Sequence, residues 1–229
     1  EDAILFDLGP AYGAVSATRQ VVLPFLRFLG IRQLDYVVVS HDDSDHSGDW
    51  PLLRARYPQT VLVSDIRRLA PRFHCLDLPQ SWRGVRLQAF RAGTYQAEPA
   101  NEDSCVVLID TGRYRLLLPG DLGRREMALA DTLVRQFSGI DVLVLGHHGS
   151  KTASSLAFLQ ALKPRIALVS SGFQNQFGHP AAETKARLSL LQIPLLNTAD
   201  SGAVRLHLSA ESLQYQHHRP RRFARWLEK

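Results

Sequence analysis

The sequence of 229 residues contains no run of about 20 consecutive apolar residues, which is the length that a membrane-spanning helix requires. Its amino terminus also lacks a basic segment followed by an apolar stretch, the pattern of a secretory signal. Neither an internal repeat nor a low-complexity linker divides the chain. We therefore expect one domain that, taken alone, is soluble.

Cysteine is also scarce. The two cysteines, Cys75 and Cys105, have neither C-x-x-C spacing nor the density of a disulfide scaffold, so they leave the cellular compartment undecided. The Gly-x-Ser-x-Gly turn that carries a nucleophilic serine is missing as well. Catalysis by a serine or cysteine nucleophile is therefore not indicated.

The charge balance is basic. Lys and Arg number 27 against 22 Asp and Glu, and the isoelectric point is near 9.5, which favours an anionic partner such as nucleic acid, a phospholipid surface or a phosphorylated small molecule. Part of the excess lies in residues 216–229. This basic tail is either a phosphate-binding or membrane-proximal segment or a solvated end of the chain. Its members are Arg219, Arg221, Arg222, Arg225 and Lys229, interleaved with Phe223 and Trp226.

The apolar periodicity alternates between short runs and helical patterns, which is typical of an α/β protein. A helix is predicted after Thr18, ending near Gly30, and a shorter one from Trp50 to Tyr57, stopped by Pro58. Further helices are predicted at residues 124–137, 155–162 and 181–191. The predicted strands are residues 3–7, 35–40, 61–64, 85–90, 105–110, 115–118, 141–145, 166–170, 203–208 and 213–215.

The most informative segment follows the strand predicted at residues 35–40 and reads His41-Asp42-Asp43-Ser44-Asp45-His46. Its mixed nitrogen and oxygen donors suit zinc, manganese or iron, whereas calcium and magnesium prefer oxygen alone. The alternative is an Asp-rich turn that caps the next helix. Two more predicted strands end in ligand types, at Gly120-Asp121 and at Gly146-His147-His148-Gly149. Because three strand ends can converge on one sheet edge, we favour a metal site.

These motifs, in this order, resemble the metallo-β-lactamase superfamily from residue 3 to about residue 208. The resemblance implies an α/β fold, an αββα sandwich of two mixed β-sheets flanked by helices, and two divalent metal ions, Mn²⁺ or Zn²⁺. Asp43 stands where the superfamily usually has its second histidine. The loss of one nitrogen donor favours a phosphodiesterase-like enzyme over a β-lactamase.

The superfamily pattern also implies roles for individual residues. His41 and Asp43 would bind one metal ion, Asp45 and His46 the other, and Asp121 both. Asp45 would in addition act as a catalytic residue that orients or deprotonates the attacking water.

Four further residues carry predictions with open alternatives. Asn101 aligns with a third histidine ligand, so it either leaves that site depleted, binds a substrate oxygen or caps a turn. His147 and His148 are neighbours on a segment predicted to be extended, where side chains point in opposite directions, so one is expected to be a ligand and the other a substrate contact or general acid. Asp7 is expected to orient a ligand histidine.

A finer resemblance is to the carboxy-terminal domain of the ComEC family of DNA-uptake channel proteins. It rests on residues 101–104, 120–121, 146–152 and 197–203 and on Phe177-Gly178-His179-Pro180. This resemblance implies that His179 contacts a phosphate or acts as the leaving-group acid. Ser150 and Lys151 lie beside the histidine pair, where they could hold a phosphate. A surface position is the alternative for His179 and Lys151. Residues 1–215 would form the domain, lacking the family's first strand, and residues 216–229 the basic tail.

The function implied by this resemblance is a nuclease that degrades the DNA strand not taken up during natural transformation. Its partner would be DNA, which we expect to be single-stranded. The domain would be attached to the membrane channel of the same polypeptide and lie on the extracytoplasmic face of the cytoplasmic membrane. The alternatives are a small-molecule hydrolase, such as a phosphorylcholine esterase or lactonase, and a DNA-binding module with a decayed metal site. Metal identity, strand preference, exonucleolytic or endonucleolytic mode and oligomeric state are left open.

Overall fold

The structure, a computed structural model, describes residues 2–93, 100–137 and 139–218. Its helices are α1 (Leu23–Phe28), α2 (Ser44–Ser47), α3 (Trp50–Arg56), α4 (Glu126–Gln136), α5 (Leu156–Leu162), α6 (Ala182–Leu190) and α7 (Thr198–Ser201). Its strands are β1 (Asp2–Phe6), β2 (Ala11–Tyr12), β3 (Val15–Ser16), β4 (Gln33–Val38), β5 (Val61–Val63), β6 (Ser81–Trp82), β7 (Val85–Phe90), β8 (Val106–Asp110), β9 (Arg115–Leu118), β10 (Val142–Val144), β11 (Ile166–Val169), β12 (Leu195–Asn197), β13 (Val204–Leu208) and β14 (Leu213–His217).

All of the predicted strands and helices are present, with bounds within two residues of those expected. The first predicted helix begins with a π-helical turn, Thr18–Val22, before α1. The periodicity did not predict β12, or the two-residue strands β2, β3 and β6, because such short segments contain too few residues to establish a period of two.

The strands form two main sheets. The smaller sheet has the order β1-β4-β5, and its described strands are all parallel. The larger has seven strands in the order β12-β11-β10-β9-β8-β7-β6; the strands from β12 to β9 are parallel, and those from β9 to β6 antiparallel. The two-stranded ribbons β2-β3 and β13-β14 complete the described part.

The sheets pack face to face between helices. Apolar side chains of β4 and β5 meet those of β7 and β8 in the layer between the sheets. Helices α1 and α3 cover the outer face of the smaller sheet, and α4, α5 and α6 cover that of the larger one. The layers therefore run helix, sheet, sheet, helix, which confirms the predicted αββα architecture. Buried representatives of the three apolar clusters between these four layers are Val38, Val107, Leu26, Leu53, Leu129, Phe158 and Leu188.

A disulfide bond joins Cys75 and Cys105 inside the layer between the sheets. Their Cα atoms are 5.6 Å apart, a normal disulfide separation, and both residues are buried. Cys75 begins a 3₁₀ turn after β5, and Cys105 directly precedes β8. The bond therefore links the turn after β5 to the start of β8, a pairing that the spacing of the cysteines did not reveal.

The predicted basic tail lies largely outside the described residues, which end at His218. Strand β14 runs to His217, so the first residues assigned to the tail pair with β13. Within the described part of the chain, no helix combines the length and the apolar character needed to cross a lipid bilayer.

Candidate metal centre

The carboxyl ends of five parallel strands meet at one edge of the sandwich. Asp7 follows β1, His41 follows β4, Asp121 follows β9, His148 follows β10 and Ser170 follows β11. Ligands in open α/β sheets bind at this end of the strands. A cavity of about 290 Å³ lies here, lined by Asp7, Asp45, His46, Asp121, His148 and Ser170 among others. The predicted convergence of strand ends is confirmed.

At two glycines, the backbone of one of these loops passes very close to a neighbouring segment. Gly120 has φ +57°, and a Cβ there would lie 2.9 Å from Cβ of Ser40, so the Asp121 turn packs directly on the His41 loop. Gly48 has φ +48°, and a Cβ there would collide with Leu8 and the carbonyl oxygen of Gly9. Larger residues would push the strand ends apart.

His41 is fully buried and has its second ring nitrogen free. The Ser40 hydroxyl donates to Asp7 Oδ2 (3.0 Å), so it can only accept from His41 Nδ1, also 3.0 Å away. We therefore assign the proton of His41 to Nδ1. Burial lowers the pKa of His41, and the neighbouring His46 lowers it further, so the ring is neutral near pH 7. Nε2 is buried without a hydrogen-bond partner among the described residues, as a metal ligand would be.

His46 lies between two carboxylates. Its Nδ1 is 2.7 Å from Asp7 Oδ2, and its Nε2 is 3.1 Å from Asp121 Oδ1. The expected contact between Asp7 and a cluster histidine is present. Burial acts to lower the pKa of His46, but hydrogen bonds with Asp121 and Asp7 and the charges of both carboxylates outweigh it and raise the pKa to about 10.

His148 repeats this arrangement on the other side. Its Nδ1 donates to the carbonyl oxygen of Ser170 (3.0 Å), while Nε2 lies 3.2 Å from Asp45 Oδ2 and 3.3 Å from His46 Nε2. The hydrogen bond from His148 holds the pKa of Asp45 well below its usual range, more than burial raises it. Three histidines thus bind a protein acceptor through Nδ1 and direct Nε2 inward, the orientation that metal-binding histidines adopt.

The expectation of an extended segment at His147 and His148 is wrong. The two residues lie in the 3₁₀ turn Gly146–Gly149 with φ of +48° and +52°, in the left-handed region that non-glycine residues seldom adopt. The turn brings both imidazoles to one side. His147 Nε2 is 3.8 Å and His148 Nε2 3.9 Å from Asp121 Oδ2, and Asn101 Nδ2 lies 3.5 Å from His147 Nε2.

Asp43 does not fit the alternative of a capping turn. It occupies the N-cap position of α2, but its carboxylate makes no capping hydrogen bond and lies 3.4 Å from His41 Nε2. Asp42, by contrast, faces away and accepts from Nε of Arg68 at 2.8 Å. The aspartates of the motif thus divide by direction, and Asp43 and Asp45 are the two that face the histidines.

The donor atoms form two overlapping groups that could each hold an ion. His41, His46 and Asp121 form a fully buried group, and Asp45, His46 and His148 a more open one, with donor atoms within 4.8 Å of one another in each. Burial acts to raise the pKa of Asp121, but His46 and the other histidines outweigh it and hold that carboxyl ionised. Imidazole nitrogens and carboxylate oxygens suit Zn²⁺ or Mn²⁺, so the residues fit such ions.

The remaining predicted residues lie around this cluster. The ring of His179 is 6.1 Å from that of His147, and burial lowers its pKa, as do the charges of His147 and His148. Ser150 is buried, and its hydroxyl oxygen lies 3.1 Å from that of Thr152. The side chain of Lys151 is exposed. Their predicted contacts with a phosphate stay predictions.

Sequence reasoning missed three residues that position the loops. Ser40 joins Asp7 to His41 through its hydroxyl. Ser104 Oγ accepts from the backbone N–H of Asp121 (3.1 Å). The buried Glu126 accepts from the N–H groups of Ser154 and Ser155 (2.7 and 2.6 Å), which follow the 3₁₀ turn that contains His147 and His148. Serine and glutamate are common surface residues, so nothing in their local sequence distinguishes them.

Comparison with known proteins identifies the family. The profile of the metallo-beta-lactamase superfamily matches residues 1–172, three quarters of the chain. The chain belongs to the metallo-β-lactamase superfamily. The structure of the metallo-β-lactamase-fold protein YhfI from Bacillus subtilis agrees in fold, with a TM-score of 0.55 at 13% sequence identity over 85% of this chain and 83% of that one.

Two curated relatives of this metallo-β-lactamase domain are competence or recombination proteins. Recombination protein 2 of Haemophilus influenzae is 33% identical over 97% of this chain and 28% of its own length. Competence protein ComA of Neisseria gonorrhoeae is 34% identical over 99% of this chain and 32% of its own length. The resemblance to the competence proteins is therefore confirmed, and the chain spans about a third of the length of these relatives.

The charge on His46 predicts proton release when this metallo-β-lactamase site takes up a metal ion. With a pKa of about 10, His46 is protonated at pH 7 in the metal-free protein, and it must lose that proton to bind an ion through Nε2. Because the proton competes below that pKa, metal affinity should rise with pH, by up to about tenfold per unit.

Calorimetric titration with Zn²⁺ at pH 7, in two buffers that differ in ionisation enthalpy, measures the number of protons released. We expect about one or more protons to be released for the ion that His46 binds. Equal heats in both buffers, or an affinity independent of pH between 6.5 and 8.5, would contradict the charged state assigned to His46.

Proposed function

We propose that this domain is a metal-dependent deoxyribonuclease that degrades the DNA strand left outside during natural transformation. The observation that carries the proposal is the pair of overlapping donor groups, in which three histidines direct Nε2 inward and Asp121 is ionised and buried. Burying charged groups costs free energy unless they are paired or bind a metal ion. A decayed site that no longer bound metal would therefore not need to keep this arrangement.

Bound Mn²⁺ or Zn²⁺ ions would activate a water molecule and stabilise the negative charge that develops on phosphorus. Asp45 is ionised and only half-buried, so it can accept a hydrogen bond from the attacking water. Its low pKa makes it a weak base, which favours orienting the water over deprotonating it. His179 is neutral near pH 7, which suits a hydrogen bond to a phosphate oxygen better than a role as leaving-group acid.

A polyanionic substrate is supported by the surface beside the metal loop. A groove of about 710 Å³ begins at Gly48 and is lined by Arg54 and Arg68. Arg68 also donates to Oγ of Ser47 (2.8 Å), the residue that follows His46 in the sequence. Arginines that contact phosphates contribute most of the sequence-independent affinity for DNA. The groove would therefore hold the DNA backbone next to the reacting phosphate.

The location that we propose is the extracytoplasmic face of the cytoplasmic membrane, as part of a longer membrane protein that contains the channel. The buried disulfide supports this, because such bonds persist in oxidising compartments and are rare in the cytosol. The competence and recombination relatives, about three times longer than this chain, support a larger polypeptide.

Cleavage of a 5′-labelled single-stranded oligonucleotide, with Mn²⁺, Zn²⁺ or chelator, tests the proposal. We expect cleavage only with metal, and none by the double variant Asp45→Ala/His46→Ala. A parallel assay with bis(p-nitrophenyl) phosphate separates the competing functions. Hydrolysis of this ester without DNA cleavage would indicate a small-molecule phosphoesterase, and DNA binding without any hydrolysis would indicate a binding module.

A further inference from the structure

The loop between β11 and α6 carries an aromatic side chain that packing does not explain. Phe177 is 71% exposed, although burying a phenylalanine is worth roughly 1.5–3 kcal/mol. Its ring stacks on His179, with 5.9 Å between ring centroids and 22° between planes. Phe177 thus contacts an imidazole on one side, and most of its ring lies open to solvent.

The position of this ring is tied to the metal centre. His179 contacts His147 at 6.1 Å between rings, and His147 Nε2 lies 3.8 Å from Asp121 Oδ2. Two ring contacts therefore lead from Phe177 to the His147 turn at the cluster. A flat, exposed apolar surface therefore lies two ring contacts from the cluster at which a phosphodiester would react.

The loop is held in this shape by one side chain. Asn175 donates to the carbonyl oxygens of Gly172 (3.0 Å) and His179 (2.6 Å), and its Oδ1 accepts from the N–H of His179 (2.9 Å). Gly178 has φ +66°, which lets the chain turn between Phe177 and His179. The aromatic pair is therefore fixed before a substrate arrives, which reduces the entropy lost on binding.

We infer that Phe177, supported by His179, is a stacking platform for an unpaired nucleobase of the strand bound at the metal centre. This inference rests on the proposed nuclease function and specifies how that site recognises DNA. Every base has a π-face, so stacking on one ring binds single strands with little regard to sequence. A paired base in a duplex already has both faces covered, so the platform selects single-stranded DNA.

Binding is tested on the whole chain in chelator, where no cleavage occurs, with a single-stranded oligonucleotide that contains the fluorescent base 2-aminopurine. We expect Phe177→Ala to weaken binding about 5- to 100-fold, the loss of one stacked base, and to abolish quenching of the probe. Phe177→Trp should retain both. Phe28→Ala is the matched control, since Phe28 is 73% exposed on α1 and should have no effect.

An oligonucleotide with abasic linkers in place of bases identifies the contact. Wild type and Phe177→Ala should bind it equally, because it offers nothing to stack. The inference of a stacking platform is wrong if Phe177→Ala binds the base-containing strand as tightly as wild type does. It is also wrong if the variant loses as much affinity for the abasic strand as for the base-containing one. If stacking is observed in chelator but wild type cleaves no DNA with Mn²⁺, the nuclease proposal fails and the platform remains.

Discussion

Asp121→Asn is expected to reduce metal-dependent cleavage by about 1000-fold or more. Asp121 is 3% exposed, and its carboxylate belongs to the buried donor group and approaches both His147 and His148. Asparagine keeps the shape of the side chain but removes the negative charge. Bound metal supplies several kcal/mol of transition-state stabilisation, and about 4 kcal/mol corresponds to this factor.

A control variant within the motif makes this test specific. Asp42→Asn changes an aspartate next to His41, but that carboxylate binds Arg68 instead of facing the cluster. The amide oxygen that replaces the carboxylate can still accept from Arg68 and hold it at the groove, so we expect the cleavage rate to stay within about threefold of wild type. Elemental analysis should show less bound metal in Asp121→Asn alone. Equal losses of activity in both variants would show that the motif contributes charge and not ligands.

The metal motif could be predicted because it concentrates ligand types at a strand end, and because two later strands end in the same way. Its detailed geometry could not. A strand followed by two histidines suggested an extended segment. The left-handed backbone of His147 and His148 is instead set by the surrounding loops, which the local sequence does not reveal. Similarly, Glu126 reaches Ser154 and Ser155 across 28 and 29 residues, and only the packing of α4 against α5 brings them together.

The same limit applies to the disulfide. Cys75 and Cys105 are 30 residues apart in sequence, one in a 3₁₀ turn after β5 and the other directly before β8, so their proximity depends on how the sandwich closes. The α/β class was predictable from short apolar runs that alternate with helical patterns, and the αββα layers were expected from the resemblance to the superfamily. Which residues face each other across the layers depends on sheet order and twist, which local patterns do not determine.

Removing the disulfide with Cys75→Ala/Cys105→Ala is expected to lower the free energy of unfolding by about 3–4 kcal/mol, the entropy released when a loop of this length opens in the unfolded chain. For a protein of this size the midpoint of thermal unfolding should fall by about 10 °C. Wild type unfolded in reductant keeps both sulfur atoms but loses the bond, so it separates the loss of the crosslink from the loss of packing.

The effect should extend to the metal centre, because Cys105 follows Ser104 directly. Ser104 donates to the carbonyl oxygen of Asn101 (2.7 Å) and accepts from the N–H of Asp121 (3.1 Å), while the N–H of Cys105 donates to Ser40 (2.8 Å). We therefore expect the double alanine variant to bind metal about 10- to 100-fold more weakly, as when partners of metal ligands are lost. Unchanged metal affinity at a lowered unfolding temperature would restrict the disulfide to a structural role, whereas a joint loss would make the activity of the domain depend on an oxidising compartment.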